Sequence, residues 1–183
     1  IIVHGENIPM CDYHCSPFDL PHRLGATLET LPRDVPYLPV PAPDVATQLP
    51  SSGYKVGVVW GGSPLHLSDK KRSIPLSLFA DLFSVEGMTF YSFNRDFKPG
   101  DEEVLPRYPV KDLTPLLTDF AASSRLINQM DLVITCDTAT AHLAGGLGKK
   151  VWVLLPFAPD WRWFIDRDDS PWYPTARLFR QPK

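Results

Sequence analysis

The stretch DLVITCDTATAHLAGGLGKK, residues 131–150, decides the fold of this chain. Its β-branched apolar run at residues 132–135 is bounded by charge, a pattern that predicts a buried parallel strand. The run at residues 139–147 is rich in Ala and Leu, and it predicts a helix that packs closely on a sheet. Gly148 and the two lysines after it are typical of the end of a helix.

A strand that runs directly into a helix places the free N–H groups of the helix start at the carboxyl edge of the sheet, where they attract an anion. Thr138, Thr140 and His142 add side-chain donors at this turn. We therefore expect a diphosphate here, although an ordinary capped turn explains the same residues. Asp137 has the same two interpretations, because it can contact a ligand hydroxyl or, with Thr138, cap the helix.

Composition narrows the class of protein. The chain has 183 residues and a net charge of −3. This charge gives no indication that the protein binds nucleic acid. No apolar run approaches the roughly 20 residues of a membrane span. Three cysteines are a sparse and odd number, which favours a reducing, cytoplasmic compartment. The chain opens without Met on what resembles a strand end at residues 1–3, and we expect it to be cut from a longer protein.

Residues 1–53 and residues 54–183 differ in the secondary structure that their sequences predict. Residues 1–53 are irregular and Pro-rich, with one short helix expected at residues 21–27, and they predict a connector. Cys11, His14 and Cys15 lie in it with His22 nearby, but their spacing matches no usual zinc site, so no metal is predicted.

Residues 54–183 alternate strands with helices, which predicts an α/β fold: a Rossmann-like, doubly wound, mostly parallel sheet. In the helix predicted at residues 118–129, Phe120, Leu126 and Ile127 are expected to face inward. The other helices are predicted at residues 75–83 and 102–105. The strands are predicted at residues 56–60, 88–93, 110–113 (an edge strand), 132–135, 151–155 and 177–179.

Ligands of such sheets bind beyond the carboxyl ends of the strands, at the point where the strand order reverses. Three polar loops are expected to meet there, at residues 61–73, 94–101 and 136–142. The first begins with glycines that let a backbone approach a ligand, and the second stands where a base or ribose is read. The candidate residues in these two loops are Gly61, Gly62, Ser63, Phe93 and Asn94.

Lys70, Lys71 and Arg72 lie together in the first loop, which we expect to be mobile. They can clamp a diphosphate, Arg through paired hydrogen bonds and Lys as a point charge. A solvated basic turn is the alternative interpretation. The aromatic loop at residues 156–173 likewise predicts either a lid over the cleft or a small core beneath a long loop.

No G-x-G-x-x-G follows a strand, and no G-x-x-x-x-G-K-[ST] or G-x-S-x-G is present. These absences disfavour nicotinamide or flavin enzymes, P-loop NTPases and α/β-hydrolases, and no cofactor is predicted.

Residues 55–181 closely resemble the C-terminal half of bacterial heptosyltransferase-like glycosyltransferases (glycosyltransferase family 9), in the variant found behind tetratricopeptide repeats. The connector CDYHCSPFDLPHRLG, followed by PYL, resembles the join between the two halves of such proteins. The stretches that carry the resemblance are VVWGGSP (58–64), DKKRSIPL (69–76), DTATAHLAGGLGKKVWVLLPFAPDWRW (137–163) and DSPWYPTARLFRQ (169–181).

The resemblance implies a GT-B fold of two Rossmann-like halves, with the nucleotide-sugar bound mainly by the C-terminal one. It implies that Asp137, Thr138, Ala139 and His142 line the diphosphate and sugar site. Arg72 stands where heptosyltransferases carry a phosphate-binding Lys, and with Lys71 adjacent it stays open which of the two acts. Transfer in the family is inverting and independent of metal, and the resemblance implies that the catalytic base lies in the N-terminal half.

The sequence therefore predicts a donor-binding domain of a glycosyltransferase at residues 54–183, behind a connector and a remnant of the other half at residues 1–53. Its partners would be a nucleotide-sugar donor and an acceptor that is a glycan, a lipid or a protein. The alternative is a Rossmann-like module without catalysis that docks other proteins through its Trp-rich surface.

Overall fold

The computed structural model describes residues 5–182. The strand end predicted at residues 1–3 lies outside them. By compactness the chain divides into two units, Ile1–Pro32 and Arg33–Lys183. The division predicted at residues 53/54 stays a prediction, and the contacts of residues 33–53 group this segment with the sheet.

In the first unit a 3₁₀ turn at Pro17–Asp19 leads into the short helix α1 (Leu20–Arg23), which ends earlier than the helix predicted at residues 21–27. The Ser16 hydroxyl caps the turn by accepting from the Phe18 N–H at 3.2 Å. None of residues 5–32 is buried. This unit therefore has no hydrophobic core among its described residues.

The second unit is built on a six-stranded sheet in the order β3-β2-β1-β4-β5-β6, and every neighbouring pair is parallel. The predicted α/β, Rossmann-like sheet is confirmed, with β3 at an edge as expected. The strand order reverses between β1 and β4, so the switch point lies at their carboxyl ends. The strands are β1 (Tyr54–Val59), β2 (Met88–Ser92), β3 (Val110–Asp112), β4 (Leu132–Cys136), β5 (Val151–Leu155) and β6 (Ala176–Arg180).

The helices of this unit are α2 (Asp69–Arg72), α3 (Ala80–Phe83), α4 (Asp101–Val104), α5 (Phe120–Asn128) and α6 (Ala139–Gly146). Its 3₁₀ turns are Val45–Thr47, Leu76–Phe79, Leu105–Arg107, Thr114–Leu116 and Trp161–Trp163.

Two of these elements correct the sequence predictions. The loop predicted to be mobile contains a helical turn, α2, in which the Ser73 N–H donates to the Asp69 carbonyl at 2.9 Å. Helix α5 begins at Phe120 rather than 118, because the Asp119 carboxylate accepts from the Ala122 N–H at 2.7 Å and caps it there.

Hydrophobic clusters cover both faces of the sheet. All five residues of β4 are buried, as expected of a central parallel strand. Trp60 and Phe90 lie in one cluster with the 3₁₀ turn at Leu76–Phe79 and with α3. Leu126 of α5 and Trp163 of the aromatic loop lie in the other. Since Trp163 is fully buried, the aromatic loop contributes to the core beside the sheet.

Residues 33–53 belong to this unit and are joined to α5 and α6 by hydrogen bonds. The N–H groups of Tyr37 and Leu38 both donate to the Gly146 carbonyl, at 3.0 and 3.1 Å. A Cβ on Gly146 would lie 2.7 Å from Leu38 Cδ1, so the glycine makes this close approach possible. The Leu49 N–H donates to Gln129 at 2.9 Å.

Gly145 of α6 provides a test of this packing. A Cβ at this position would overlap the ring of Tyr173, so Gly145→Ala forces a shift in a packed core. We expect a loss of about 1–3 kcal/mol of unfolding free energy in urea titration, although Ala in a helix gains about 1 kcal/mol over Gly. Asn128→Ala at the exposed end of α5 is the control for helix propensity. A Gly145→Ala protein as stable as wild type would contradict the close contact.

Candidate functional site

A cavity of about 590 Å³ lies at the carboxyl edge of the sheet, beside the switch point. The ends of β1, β2 and β4 supply residues to it, together with the start of α5. Eight residues singled out from the sequence line this cavity: Gly61, Gly62, Ser63, Arg72, Phe93, Thr138, Ala139 and Thr140. The structure thus brings the predicted cationic and hydroxyl-rich segments to one edge, and ligand binding there stays a prediction.

Arg72 joins the two sides of the cavity. Its Nη1 donates to the Asp137 carbonyl at 2.8 Å, immediately before the start of α6. A Cβ on Gly62 would lie 2.5 Å from Arg72 Nη2, so only a glycine allows the guanidinium to lie against this backbone. Lys71 is exposed and lines a separate cavity of about 390 Å³. Of the two cations that the sequence left open, Arg72 is the one at the site.

The start of α6 is open toward the cavity. Thr138 occupies the N-cap position in an extended conformation, but no side chain caps the helix. The Thr138 hydroxyl lies 3.0 Å from that of Thr135, and Asp137 accepts from the Trp163 indole N–H at 2.9 Å. Thr138 is therefore the N-cap residue, as predicted, but its side chain makes no capping hydrogen bond, and the Asp137 carboxylate is bound by Trp163. The first-turn amides keep the partial positive charge that attracts an anion.

His142 lies one turn further along α6 and does not line the cavity. Its ring stacks on Trp163 at 5.1 Å between centroids, and its Nδ1 lies 3.0 Å from the Tyr173 hydroxyl. Burial lowers the pKa of His142 below 6.5, and the nearby Asp137 carboxylate opposes this shift only in part. The imidazole is therefore predominantly neutral at neutral pH. Its predicted contact with a phosphate stays a prediction.

Asn94 is fully buried and serves the fold. Its side-chain carbonyl accepts from the Trp60 N–H at 3.0 Å, and its main-chain carbonyl accepts from the Thr114 hydroxyl at 2.8 Å. These bonds tie the end of β2 to the end of β1 and to the turn after β3. The predicted contact of Asn94 with a nucleoside stays a prediction, and Phe93 beside it lines the cavity.

The lining residues that sequence reasoning had not placed at the site include Arg95, Asp96 and Phe120. Phe120 was expected to face inward but is 68% exposed. The reason is its place as the first residue of α5, directly after the capping Asp119, where it precedes the helical face that meets the core. The Asp119 cap was the signal in the sequence that could have found it.

Cys136 ends β4 beneath this site and is completely buried. Burial raises the pKa of its thiol to about 12. The thiol is therefore protonated at neutral pH, and Cys136 acts as a packing residue rather than as a nucleophile.

Two features are absent from the described residues: a group of side chains suited to a metal ion and a helix that could span a membrane. Within residues 5–182, no three His, Cys, Asp or Glu side chains are grouped so that they could hold a metal ion, and the predicted absence of a metal stays a prediction. No helix in the same range is long and apolar enough to cross a membrane.

The sequence of this chain is similar to part of a longer protein. No protein-family model matches the sequence. Protein FlbA of Caulobacter vibrioides is 29% identical over 189 residues, an alignment that covers 95% of this chain and 30% of FlbA. The chain thus spans about a third of the length of this relative.

Two solved structures share the architecture. ADP-heptose LPS heptosyltransferase II of E. coli matches with a TM-score of 0.58 at 16% identity, over 85% of this chain and 49% of that one. The glycosyl transferase family 9 structure from Veillonella parvula matches with a TM-score of 0.53 at 18% identity, over 73% of this chain and 36% of that one. The described domain therefore has a glycosyltransferase-like, Rossmann-like fold of the kind found in family 9.

The lowered pKa of His142 predicts how stability responds to acid. As the pH falls below 6.5, the unfolded chain binds a proton at His142 before the folded chain does. The contribution of His142 to the unfolding free energy is therefore present above pH 6.5 and is lost as the pH falls through the folded pKa. We expect wild type to lose more thermal stability than His142→Gln between about pH 7.5 and about pH 5.5.

This comparison is made by melting both proteins across the pH series. The loss of ring stacking in His142→Gln changes its melting temperature by a similar amount at every pH. The difference between the slopes of melting temperature against pH therefore measures the effect of imidazole protonation. Parallel curves would contradict the buried, neutral His142.

Proposed function

We propose that this chain is the donor-binding half of a heptosyltransferase-like, GT-B glycosyltransferase, of the type associated with tetratricopeptide repeats. In this proposal it binds a nucleotide-diphosphate-sugar for inverting, metal-independent transfer. One observation carries the proposal: the Arg72 guanidinium is hydrogen-bonded beside the uncapped start of α6, and both line a cavity at the switch point of the sheet.

The charges at this end of the cavity suit a diphosphate. Arg72 supplies a full positive charge in a largely buried position, with its side chain 15% exposed. The amides at the start of α6 add a partial one, and the Asp137 carboxylate is turned away to the Trp163 indole. Together they would stabilise the nucleoside diphosphate that leaves as the anomeric bond breaks. This charge compensation requires no metal.

Other residues that line the same cavity suit a nucleoside. The exposed Phe120 ring offers a face on which a base can stack, and Arg95 and Asp96 offer polar groups beside it. In this proposal Phe93 lies behind the nucleoside, and Asn94 holds the backbone that Phe93 and Arg95 extend from. The volume of about 590 Å³ lies within the usual range of small-molecule sites.

The whole enzyme extends beyond these residues in this proposal, since the chain spans 49% and 36% of the two solved structures that it resembles. We place the catalytic base and the site for a glycan, lipid or protein acceptor in the remaining half, and the enzyme in the cytoplasm.

Calorimetry with UDP-, GDP- and ADP-sugars tests the donor site. We expect binding of at least one of them, and Arg72→Ala should weaken it about ten- to hundredfold, as expected for loss of a charge-assisted hydrogen bond. Lys71→Ala is the matched control on the same helical turn, because Lys71 is exposed and outside the cavity. A folded wild-type protein that binds none of the three would defeat the proposal.

Phe120→Ala tests the nucleoside end separately. Loss of base stacking should weaken nucleotide-sugar binding by about 1–3 kcal/mol, or roughly five- to a hundredfold. Affinity for inorganic pyrophosphate should not change, because pyrophosphate has no base that could stack on Phe120. Leu78→Ala, at another exposed apolar residue, is the control. Equal weakening of nucleotide and pyrophosphate binding would argue against this orientation of the donor.

The second candidate function is a non-catalytic protein-docking module. The observation that favours it is the exposure of Trp161, Ile165 and Phe157 in the aromatic loop, at 59%, 69% and 54%. A purified chain that ignores nucleotides and self-associates would support this alternative over the donor site.

A further inference from the structure

The structure assigns to Asp69 a positioning role at this site, an inference that rests on the proposed function. We propose that the buried Asp69 carboxylate closes a ring of hydrogen bonds around Gly62 and thereby aims the Arg72 guanidinium into the cavity. Asp69 does not line the cavity itself.

The ring uses both oxygens of the carboxylate. Asp69 Oδ1 accepts from the Ser73 hydroxyl at 2.8 Å, and that hydroxyl accepts from the Gly62 N–H at 3.1 Å. Asp69 Oδ2 is bound by the Lys98 ammonium, which also donates to the Gly62 carbonyl at 2.7 Å. One carboxylate thus holds both backbone groups of Gly62 indirectly, the N–H through Ser73 and the carbonyl through Lys98.

The same carboxylate faces Arg72. Asp69 Oδ1 lies 3.6 Å from Arg72 Nε, a buried nitrogen without a hydrogen-bond partner. The other side of the guanidinium lies against Gly62, where a Cβ would be 2.5 Å from Nη2. Arg72 is therefore held between Asp69 and the Gly62 backbone, while its Nη1 reaches the Asp137 carbonyl.

Burial and charge show that this arrangement depends on ionised Asp69. The residue is 8% exposed, so an unpaired charge there would be costly. Burial favours the neutral acid, but the Lys98 ammonium and the Ser73 hydroxyl outweigh it and hold the pKa of Asp69 below its ordinary value. The carboxylate is thus charged at neutral pH and can accept from all of its partners.

An uncharged amide at this position breaks the ring, because Asn offers one acceptor where the carboxylate offers two. We expect Asp69→Asn to weaken binding of inorganic pyrophosphate by about tenfold, and hydrogen exchange at the Gly62 amide to accelerate by a similar factor. Ser73→Ala, a milder change, should accelerate the same exchange by breaking one link of the ring.

The experiment compares these variants with Asp81→Asn, an exposed carboxylate on α3, and Lys70→Met, an exposed cation on α2. Both should keep wild-type affinity and exchange. In an Arg72→Ala background, Asp69→Asn should cause little further loss of affinity, since a positioning residue acts through the group that it aims.

The outcomes separate this inference from the proposed function. Wild type that binds neither pyrophosphate nor any nucleotide-sugar defeats the proposed function, and the ring is then judged by Gly62 exchange alone. Unchanged exchange in both Asp69→Asn and Ser73→Ala overturns the ring. Faster exchange with unchanged pyrophosphate affinity overturns the positioning role and leaves Asp69 as a structural residue. Independent losses in the Asp69 and Arg72 variants overturn it as well.

Discussion

The site depends on one hydrogen bond, from Arg72 Nη1 to the Asp137 carbonyl. It joins the helical turn that follows β1 to the turn between β4 and α6, the two segments on either side of the switch point. Because the acceptor is a main-chain carbonyl, this bond brings no negative charge to the start of α6, and the guanidinium is paired with the Asp69 carboxylate, 3.6 Å from its Nε. The start of α6 adds its own partial charge nearby. Arg72 and the start of α6 therefore place positive charge beside one cavity, although the chain as a whole carries a charge of −3.

Two kinds of residue make this bond possible. Glycine at position 62 removes the side chain that would occupy the space of the guanidinium. Asp69, with Lys98 and Ser73 as partners, holds the backbone of that glycine from both sides. A buried carboxylate and a partly buried ammonium are costly to desolvate, and they persist together where each completes the hydrogen bonding of the other. The same logic accounts for Asp137, whose carboxylate is bound by Trp163 beside the cavity.

Features that depend on residues close together in the sequence were predicted better than contacts between distant residues. The sheet, its parallel sense and the strand-to-helix turn at residues 136–139 were predicted, because apolar periodicity and β-branched runs report backbone structure within a few residues. Side-chain roles were less predictable. Asp137 and Thr138 read as helix caps in sequence, yet tertiary partners hold both side chains elsewhere. Phe120 was expected in the core, but it is the first residue of α5 and precedes the part of the helix that meets the core.

The sequence by itself determined the architecture and the edge of the sheet at which a ligand would lie, since both follow from the order and polarity of local segments. Only the tertiary structure showed that Arg72, and not Lys71, lines the cavity, because neighbouring residues on a helix point about 100° apart. It alone also showed that Asp69 and Lys98, 29 residues apart, meet around Gly62. No pattern within either segment contains that contact, which exists because β1 and β2 are neighbours in the sheet and bring their following loops together.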